Sequence, residues 1–375
     1  MKDSQALLML DDGTCFEGTA RGACQEAFGE FIFTTSMAGY QEFLTDPALA
    51  GQIVVFTSAH MGNYGMTAED DEAASVMAAG AVFHDLFIPG SEVFPHWRAV
   101  ESLDQRLKRE GVTAISGVDT RSLAAHLREH GARNGIISAL DPDRASLLRR
   151  ARELPPMAGL DLVSRVTCRE QYQPEMPGAK PNDGKELSVA VLDLGVKSSF
   201  LRRMQGLGMR VTVWPATTRA EDILATRPDG VFLSSGPGDP EPCHYAIACV
   251  KKLLGAAPIF GICLGGQILA LALGAKTFKM KNGHRSSNHP VADIQSGNVW
   301  ITSQNHGFCI DAQSLPGTMR PTRWNANDQT LAGFECTDLP AFAVQFHPET
   351  GLGAVDGTGV FEHFHTMMVD FRNKK

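Results

Sequence analysis

Two rhythms of apolar and polar positions run along this chain. In the first half the pattern is mixed. Apolar positions 7–10 and the run 15–17 flank Asp12-Gly13, a dipeptide that favours the tight turn of a hairpin. Positions 51–57 read Gly-Gln-Ile-Val-Val-Phe-Thr and predict a strand rich in β-branched residues. A helix is expected over 102–110, with Ser102 as its cap and Gly111 behind it. Another opens at Asp119, carries Leu123 and Leu127 on one face and stops at Gly131.

In the second half strands and helices alternate. Positions 187–194 form a nearly continuous apolar run, the signature of a strand covered on both faces. A helix over 198–207 ends at Gly208, and 210–214 is a second strand. A helix at 220–225, a strand at 230–233, a helix at 245–254 and a strand at 258–262 follow. This βαβ progression predicts a parallel sheet covered by helices. Past Gly274 the pattern suggests short strands and turns, closing on a helix over 359–371.

Between the halves, Pro174, Pro177 and Pro181 with Gly178 and Gly184 interrupt any regular element. We therefore expect a domain over 1–164, a linker over 165–186 and a second domain over 187–375. A length of 375 residues suits two such domains. A 43% hydrophobic content excludes a disordered chain. With 34 basic and 42 acidic residues the net charge is −8, which argues against a nucleic-acid binder. No apolar run approaches the ~20 residues of a membrane-spanning helix. The apolar positions 6–10 stop at Asp11-Asp12, too soon for an export signal, so a cytoplasmic location is expected. The eight cysteines show no CxxC spacing, and reduced thiols are expected.

One cysteine has distinctive neighbours. Gly261-Ile-Cys263-Leu-Gly265 lies between an expected strand and an expected helix, the form of a nucleophile elbow with cysteine in place of serine. The flanking glycines permit the tight turn, the helix N-terminus favours thiolate, and the Leu264 N–H is placed to donate to an oxyanion. A nucleophilic cysteine needs a base, because at the free pKa of about 8.5 little of it is thiolate at neutral pH. The strand expected over 341–346 delivers His347-Pro348-Glu349, and in extended chain residues i and i+2 project to one side. Glu349 would then orient His347 towards the thiol. Gly236 and Gly238, in the loop after the third strand, let backbone amides approach a ligand, and a Gly236 amide would complete a two-donor oxyanion hole with Leu264. Taken singly, each motif has a plainer reading: a buried core cysteine, a surface His–Glu pair, an ordinary Gly-Pro turn. His363 and His365 stand two apart on a helix and point away from each other, so no metal site is expected.

Together, Cys263, His347 and Glu349 make the chain resemble a class I, triad-type glutamine amidotransferase over 187–371, with Phe260-Gly-Ile-Cys-Leu-Gly-Gly-Gln267 and Phe346-His-Pro-Glu349 as its two signatures. The first half narrows the likeness. Thr34-Thr-Ser-Met-Ala-Gly-Tyr-Gln-Glu42, Thr45-Asp-Pro47, Gly51-Gln-Ile-Val54, Gly62-Asn-Tyr-Gly65 and Asp119-Thr-Arg121 are similar to the small, glutaminase subunits of carbamoyl-phosphate synthetases. So are Asn288-His-Pro-Val291 and Gln304-Asn-His-Gly-Phe308.

This resemblance implies an α/β fold: a mixed α+β N-terminal domain that contacts a partner, then an amidotransferase-like domain with a mostly parallel central sheet. It implies that Cys263 attacks the glutamine side-chain amide, with His347 as base and then acid. Gly236 and Leu264 would supply oxyanion donors, and Gly238, Gln267, Asn305, Gly307 and Phe308 would hold the amino acid. It implies ammonia passed to a large synthetase subunit in a heterodimer or higher assembly. ATP and Mg would be bound by that partner, which makes carbamoyl phosphate for arginine and pyrimidine synthesis. No cofactor is expected in this chain, which has no GxxxxGK[ST] loop. The chain departs from the family pattern at Ala48 for Ser, Ser235 for Asn, Gly266 for His and around Arg285-Ser286-Ser287. Ala48 lacks a hydroxyl that helps bind glutamine in the family. A weakened or silent regulatory subunit and a papain-like thiol hydrolase are the competing readings.

Overall fold

The computed structural model describes residues 4–90, 96–175, 186–349 and 356–374. The chain divides into two units, Met1–Leu160 and Asp161–Lys375.

The first unit carries β1 (Gln5–Leu10), β2 (Cys15–Gly22), β3 (Glu26–Thr34), α1 (Tyr40–Leu44), β4 (Gln52–Phe56), β5 (Met66–Thr67), β6 (Gly80–Val82), β7 (Ala99–Glu101), α2 (Leu103–Arg109), β8 (Thr113–Ser116), α3 (Thr120–His130), β9 (Arg133–Ser138) and α4 (Arg144–Arg152). Seven strands close into a barrel in the order β1-β2-β8-β6-β4-β3-β9. The hairpin expected at Asp12-Gly13 joins β1 to β2, with Gly13 at φ 96°. Ser102 and Gln105 cap α2 reciprocally, and the Asp119 side chain accepts the Ser122 N–H at the start of α3. Leu8 and Leu10 point into the cluster of Phe31, Ile53, Val55 and Ile115, to which α3 adds Leu123 and Leu127. Leu7 and Met9 point the other way, onto Leu147 and Ala151 of α4. Burial on both faces is why β1 has no polar alternation.

The second unit carries α5 (Val163–Val166), β10 (Leu187–Asp193), α6 (Ser198–Gly206), β11 (Met209–Pro215), α7 (Ala220–Ala225), β12 (Gly230–Leu233), α8 (His244–Leu253), β13 (Ile259–Ile262), α9 (Leu264–Leu273), β14 (Thr277–Asp293), β15 (Val299–Ile310), β16 (Met319–Asn325), β17 (Leu331–Cys336), β18 (Ala341–Val344) and α10 (Gly359–Asn373). Its nine-stranded sheet runs β11-β10-β12-β13-β18-β17-β16-β14-β15. The pairs from β11 to β18 are parallel, and those from β18 through β17, β16 and β14 to β15 are antiparallel.

Two expectations differ from this arrangement. The short strands expected past Gly274 include a long hairpin of 17 and 12 residues, β14 and β15. Register shifts between Lys279 and His284 and between Ser286 and His289, with buried His284, Arg285 and Ser286, break the alternation that would mark such a strand. The expected linker differs as well. Its described part, through residue 175, packs on the second unit: the Cys168 N–H donates to Asp193 Oδ2 at 2.7 Å and Tyr172 bridges Val213. Residues 176–185 of that linker lie outside the described residues.

The parallel strands alternate between two cores. Ala190, Leu192, Val231 and Leu233 face Ile223, Val250 and Ile268, whereas Val189, Val191, Phe232 and Phe260 face Phe200, Phe361 and Phe364. Phe260 is the hub of the second core, stacked on Phe342 at 4.4 Å and edge-on to Phe232 and Phe361. Phe260→Ala therefore lowers the stability of this unit by about 3–5 kcal/mol. A lowered midpoint in thermal or urea unfolding measures it, and an unchanged midpoint contradicts this account of the core.

Candidate active site

The turn from β13 into α9 places Cys263 at φ 52°, ψ −111°, a conformation that non-glycine residues avoid. Such strain costs on the order of 1–3 kcal/mol and persists where the surroundings impose it. Here the Cys263 N–H donates to the Val344 carbonyl at 2.9 Å and the Cys263 carbonyl accepts the Gln267 N–H at 3.1 Å. The glycines around it are there for space. A Cβ on Gly265 would lie 2.2 Å from the Leu233 carbonyl oxygen, and one on Gly261 would lie 2.7 Å from that of Gly265. Gly266 is less constrained, with 3.0 Å to Ala343 Cβ. The thiol points towards the Asn305 carbonyl on β15, 3.8 Å away.

β18 lies beside β13 in parallel register, Ile262 opposite Val344, and delivers His347 next to Cys263. The His347 N–H donates to the Ser303 carbonyl at 2.8 Å. Its Nδ1 meets Glu349 Oε1 at 2.9 Å, the i, i+2 geometry expected from the sequence. Its Nε2 is buried and has no protein partner of good hydrogen-bond geometry. The Cys263 thiol is nonetheless close enough to favour the charged imidazole. The thiol and the imidazole are thus adjacent without a formed bond, common in an unliganded site.

Electrostatics fix the charge states around the base. Lys197, at the N-terminal boundary of α6, places Nζ 2.7 Å from Glu349 Oε1, and both side chains are buried. Burial alone would raise the Glu349 pKa, but Lys197 and His347 outweigh it and hold the carboxyl down at about 2. Burial alone would lower that of His347, but the Glu349 carboxylate and the thiol outweigh it and push the imidazole up to about 10. By contrast, burial pushes the thiols of Cys168, Cys243 and Cys309 up to about 12, so these stay protonated. All eight cysteines are free.

The other expected residues surround this pair to different degrees. A Cβ on Gly236 would meet the Leu194 carbonyl oxygen at 2.1 Å and Leu264 Cδ2 at 2.8 Å, so the two expected oxyanion donors are neighbours. Gly238, at φ 79°, packs on Leu162. Gln267 is buried, and its Nε2 donates to the Phe308 carbonyl at 2.8 Å and to Gln345 Oε1 at 3.0 Å, so both hydrogens are used within the protein. Asn305, Gly307 and Phe308 lie on β15, with Asn305 opposite Arg285 and the Arg285 guanidinium beside Gly307. Ser235 is fully buried near the Gly195 carbonyl. Ala48 belongs to the first unit, where its N–H donates to Asp46 Oδ1 at 2.9 Å. Among the described residues no group of three or more His, Cys, Asp or Glu is arranged to hold a metal. No helix among them is long and apolar enough to cross a membrane.

Sequence reading missed Lys197 and Phe200. Their only advance signal is their place just past the carboxyl end of the first parallel strand, where open α/β sheets assemble their sites.

Cys263, His347 and Glu349 gather at the carboxyl edge of the parallel sheet of an amidotransferase-type domain, whose residues 190–367 match the family model of class-I glutamine amidotransferases. Residues 8–137 match the carbamoyl-phosphate synthase small chain, CPSase domain. Carbamoyl phosphate synthase small chains from Pectobacterium atrosepticum (48% identical, 98% of each chain), Photobacterium profundum (49%, covering 96% of this chain and 95% of that one) and Escherichia coli (47%, 98% of each) are similar along their whole length. The chain belongs to the carbamoyl-phosphate synthase small-chain family.

Glu349→Gln removes the charge that holds the proton on His347, leaving burial and Lys197 to oppose it. His347 then titrates below its ordinary 6.5 instead of far above it. NMR titration of labelled histidine reads the change, and a His347 that still titrates well above 6.5 in the variant contradicts the assignment.

Proposed function

We propose that this chain is the glutaminase subunit of a glutamine-hydrolysing carbamoyl-phosphate synthetase, with Cys263, His347 and Glu349 as its catalytic triad. The observation that carries this reading is the strained thiol beside a buried imidazole whose far nitrogen is held by a carboxylate. His347 Nε2 already holds the proton taken from the thiol, and Cys263 Sγ attacks the side-chain carbonyl carbon of L-glutamine as the thiolate. The resulting oxyanion lies between the Leu264 and Gly236 N–H groups. The C–N bond then breaks as His347 gives its proton to the leaving nitrogen, releasing ammonia and leaving a thioester. His347, left neutral, deprotonates the water that attacks that thioester, and collapse of the second oxyanion expels the thiolate, restores its pairing with the protonated imidazole and frees glutamate.

The glutamine backbone is held by Gly238 and by the β15 residues Asn305, Gly307 and Phe308. Gln267 contributes by fixing β15 against α9 through the Phe308 carbonyl. The first unit supplies surface for a large synthetase subunit in a cytoplasmic heterodimer. Ammonia passes to that partner, which binds ATP and Mg and makes carbamoyl phosphate for arginine and pyrimidine synthesis. The relatives named above are carbamoyl phosphate synthase small chains, and the likeness spans both halves of this chain.

Ammonia release from glutamine is expected to be low for the isolated chain, raised by a large synthetase subunit, and reduced at least about a thousandfold in Cys263→Ser. Undiminished release from Cys263→Ser removes the mechanism. A wild-type chain inactive with and without its partner, yet able to bind glutamine, would instead be a regulatory subunit.

A further inference from the structure

Phe200 is fully buried in the first turn of α6, and its ring is shared by the two cations that flank Glu349. The His347 ring lies nearly parallel to it, 6.1 Å between centroids with 16° between planes. Lys197 Nζ lies 5.8 Å from the same ring centre. Phe200 is itself packed edge-on against Phe232 at 5.5 Å and at a tilt against Phe361 at 6.4 Å. It cannot shift without disturbing the core that also packs Phe260.

We propose that Phe200 is a positioning residue for the base, fixing the plane of the His347 ring and stabilising its protonated form. The proposal rests on the triad reading above and deepens it. One hydrogen bond from Nδ1 to Glu349 anchors a single point on the imidazole edge and leaves the ring free to tilt about it. A near-parallel ring beside it, 6.1 Å between centroids, restricts that tilt and keeps Nε2 on the Cys263 side. An aromatic face also carries negative potential, so a cation over it is favoured, most strongly where water is excluded. Two positive groups converge on one carboxylate here, both out of water, and the ring offsets part of the cost of keeping them charged. An aliphatic side chain of similar bulk would fill the space without supplying either effect. Phe200 touches no reacting atom and acts only through His347.

The test uses the full chain assembled with its synthetase partner, comparing Phe200→Leu with a series in which position 200 carries phenylalanine, its para-fluoro form and its pentafluoro form. Fluorination weakens the face potential while nearly preserving shape, so the series reports even if Phe200→Leu folds poorly. For folded Phe200→Leu we expect kcat for glutamine hydrolysis to fall about tenfold, with KM within about twofold. The alkaline limb of the kcat profile and the His347 titration should both move down by roughly half to one unit. The direction follows because losing the ring makes the imidazolium easier to deprotonate. The fluorinated series should move in graded steps the same way. A folded Phe200→Leu with unchanged kcat and unchanged pH profile overturns the proposal. So does a pentafluoro variant identical to the parent, which would leave Phe200 a packing residue. Cys263→Ser run in parallel separates the two levels: its inactivity beside unaffected Phe200 variants overturns only this inference, whereas its full activity overturns the triad itself.

Discussion

The parallel pairing of β13 with β18 is the constraint on which the site depends. It sets Ile262 beside Val344, and one residue beyond this pair the chain turns into α9 on one strand and runs on towards His347 on the other. The same strand supplies the carbonyl that accepts the Cys263 N–H, so the strained cysteine is tied to the strand that delivers His347. A one-residue slip would move every side chain on β18 to the opposite face and would take His347 away from the thiol. The stacked Phe260 and Phe342, themselves partners in this register, lock the pairing from below.

Around that register the charges form one buried unit. Glu349 accepts from both His347 and Lys197, and a lone buried carboxylate or imidazolium would cost several kcal/mol. Taken together each charge offsets another, and the set keeps a proton on the imidazole. The strain at Cys263 sits in a turn with no space for side chains on either side: a Cβ at 265 would run into the Leu233 carbonyl of the sheet, and one at 261 into the Gly265 carbonyl of α9.

Much of this was legible beforehand. The hairpin at Asp12-Gly13, the caps at Ser102 and Asp119 and the alternation from β10 to β13 rest on local rules, and a local rule can be read from a few adjacent residues. Closure of the first unit into a barrel was not legible, because β2 and β8 pair across almost a hundred residues and nothing local marks the partner. The β14–β15 hairpin was hidden for another reason. Its buried face carries histidine, arginine and serine, and its bulges break the period of two. Lys197 and Phe200 looked like ordinary residues at the start of a helix.

The sequence alone determined which groups are available: a thiol between glycines at a strand–helix junction, and a histidine with a carboxylate two residues on. Those are covalent spacings, and an extended segment places i and i+2 on one side wherever it is put. Only the tertiary structure decided that the two segments meet, that the carboxylate is shared with Lys197, and that a phenylalanine faces the base. These contacts join residues far apart in the chain, and they are set by sheet order and by which face each core claims, neither of which any single segment encodes.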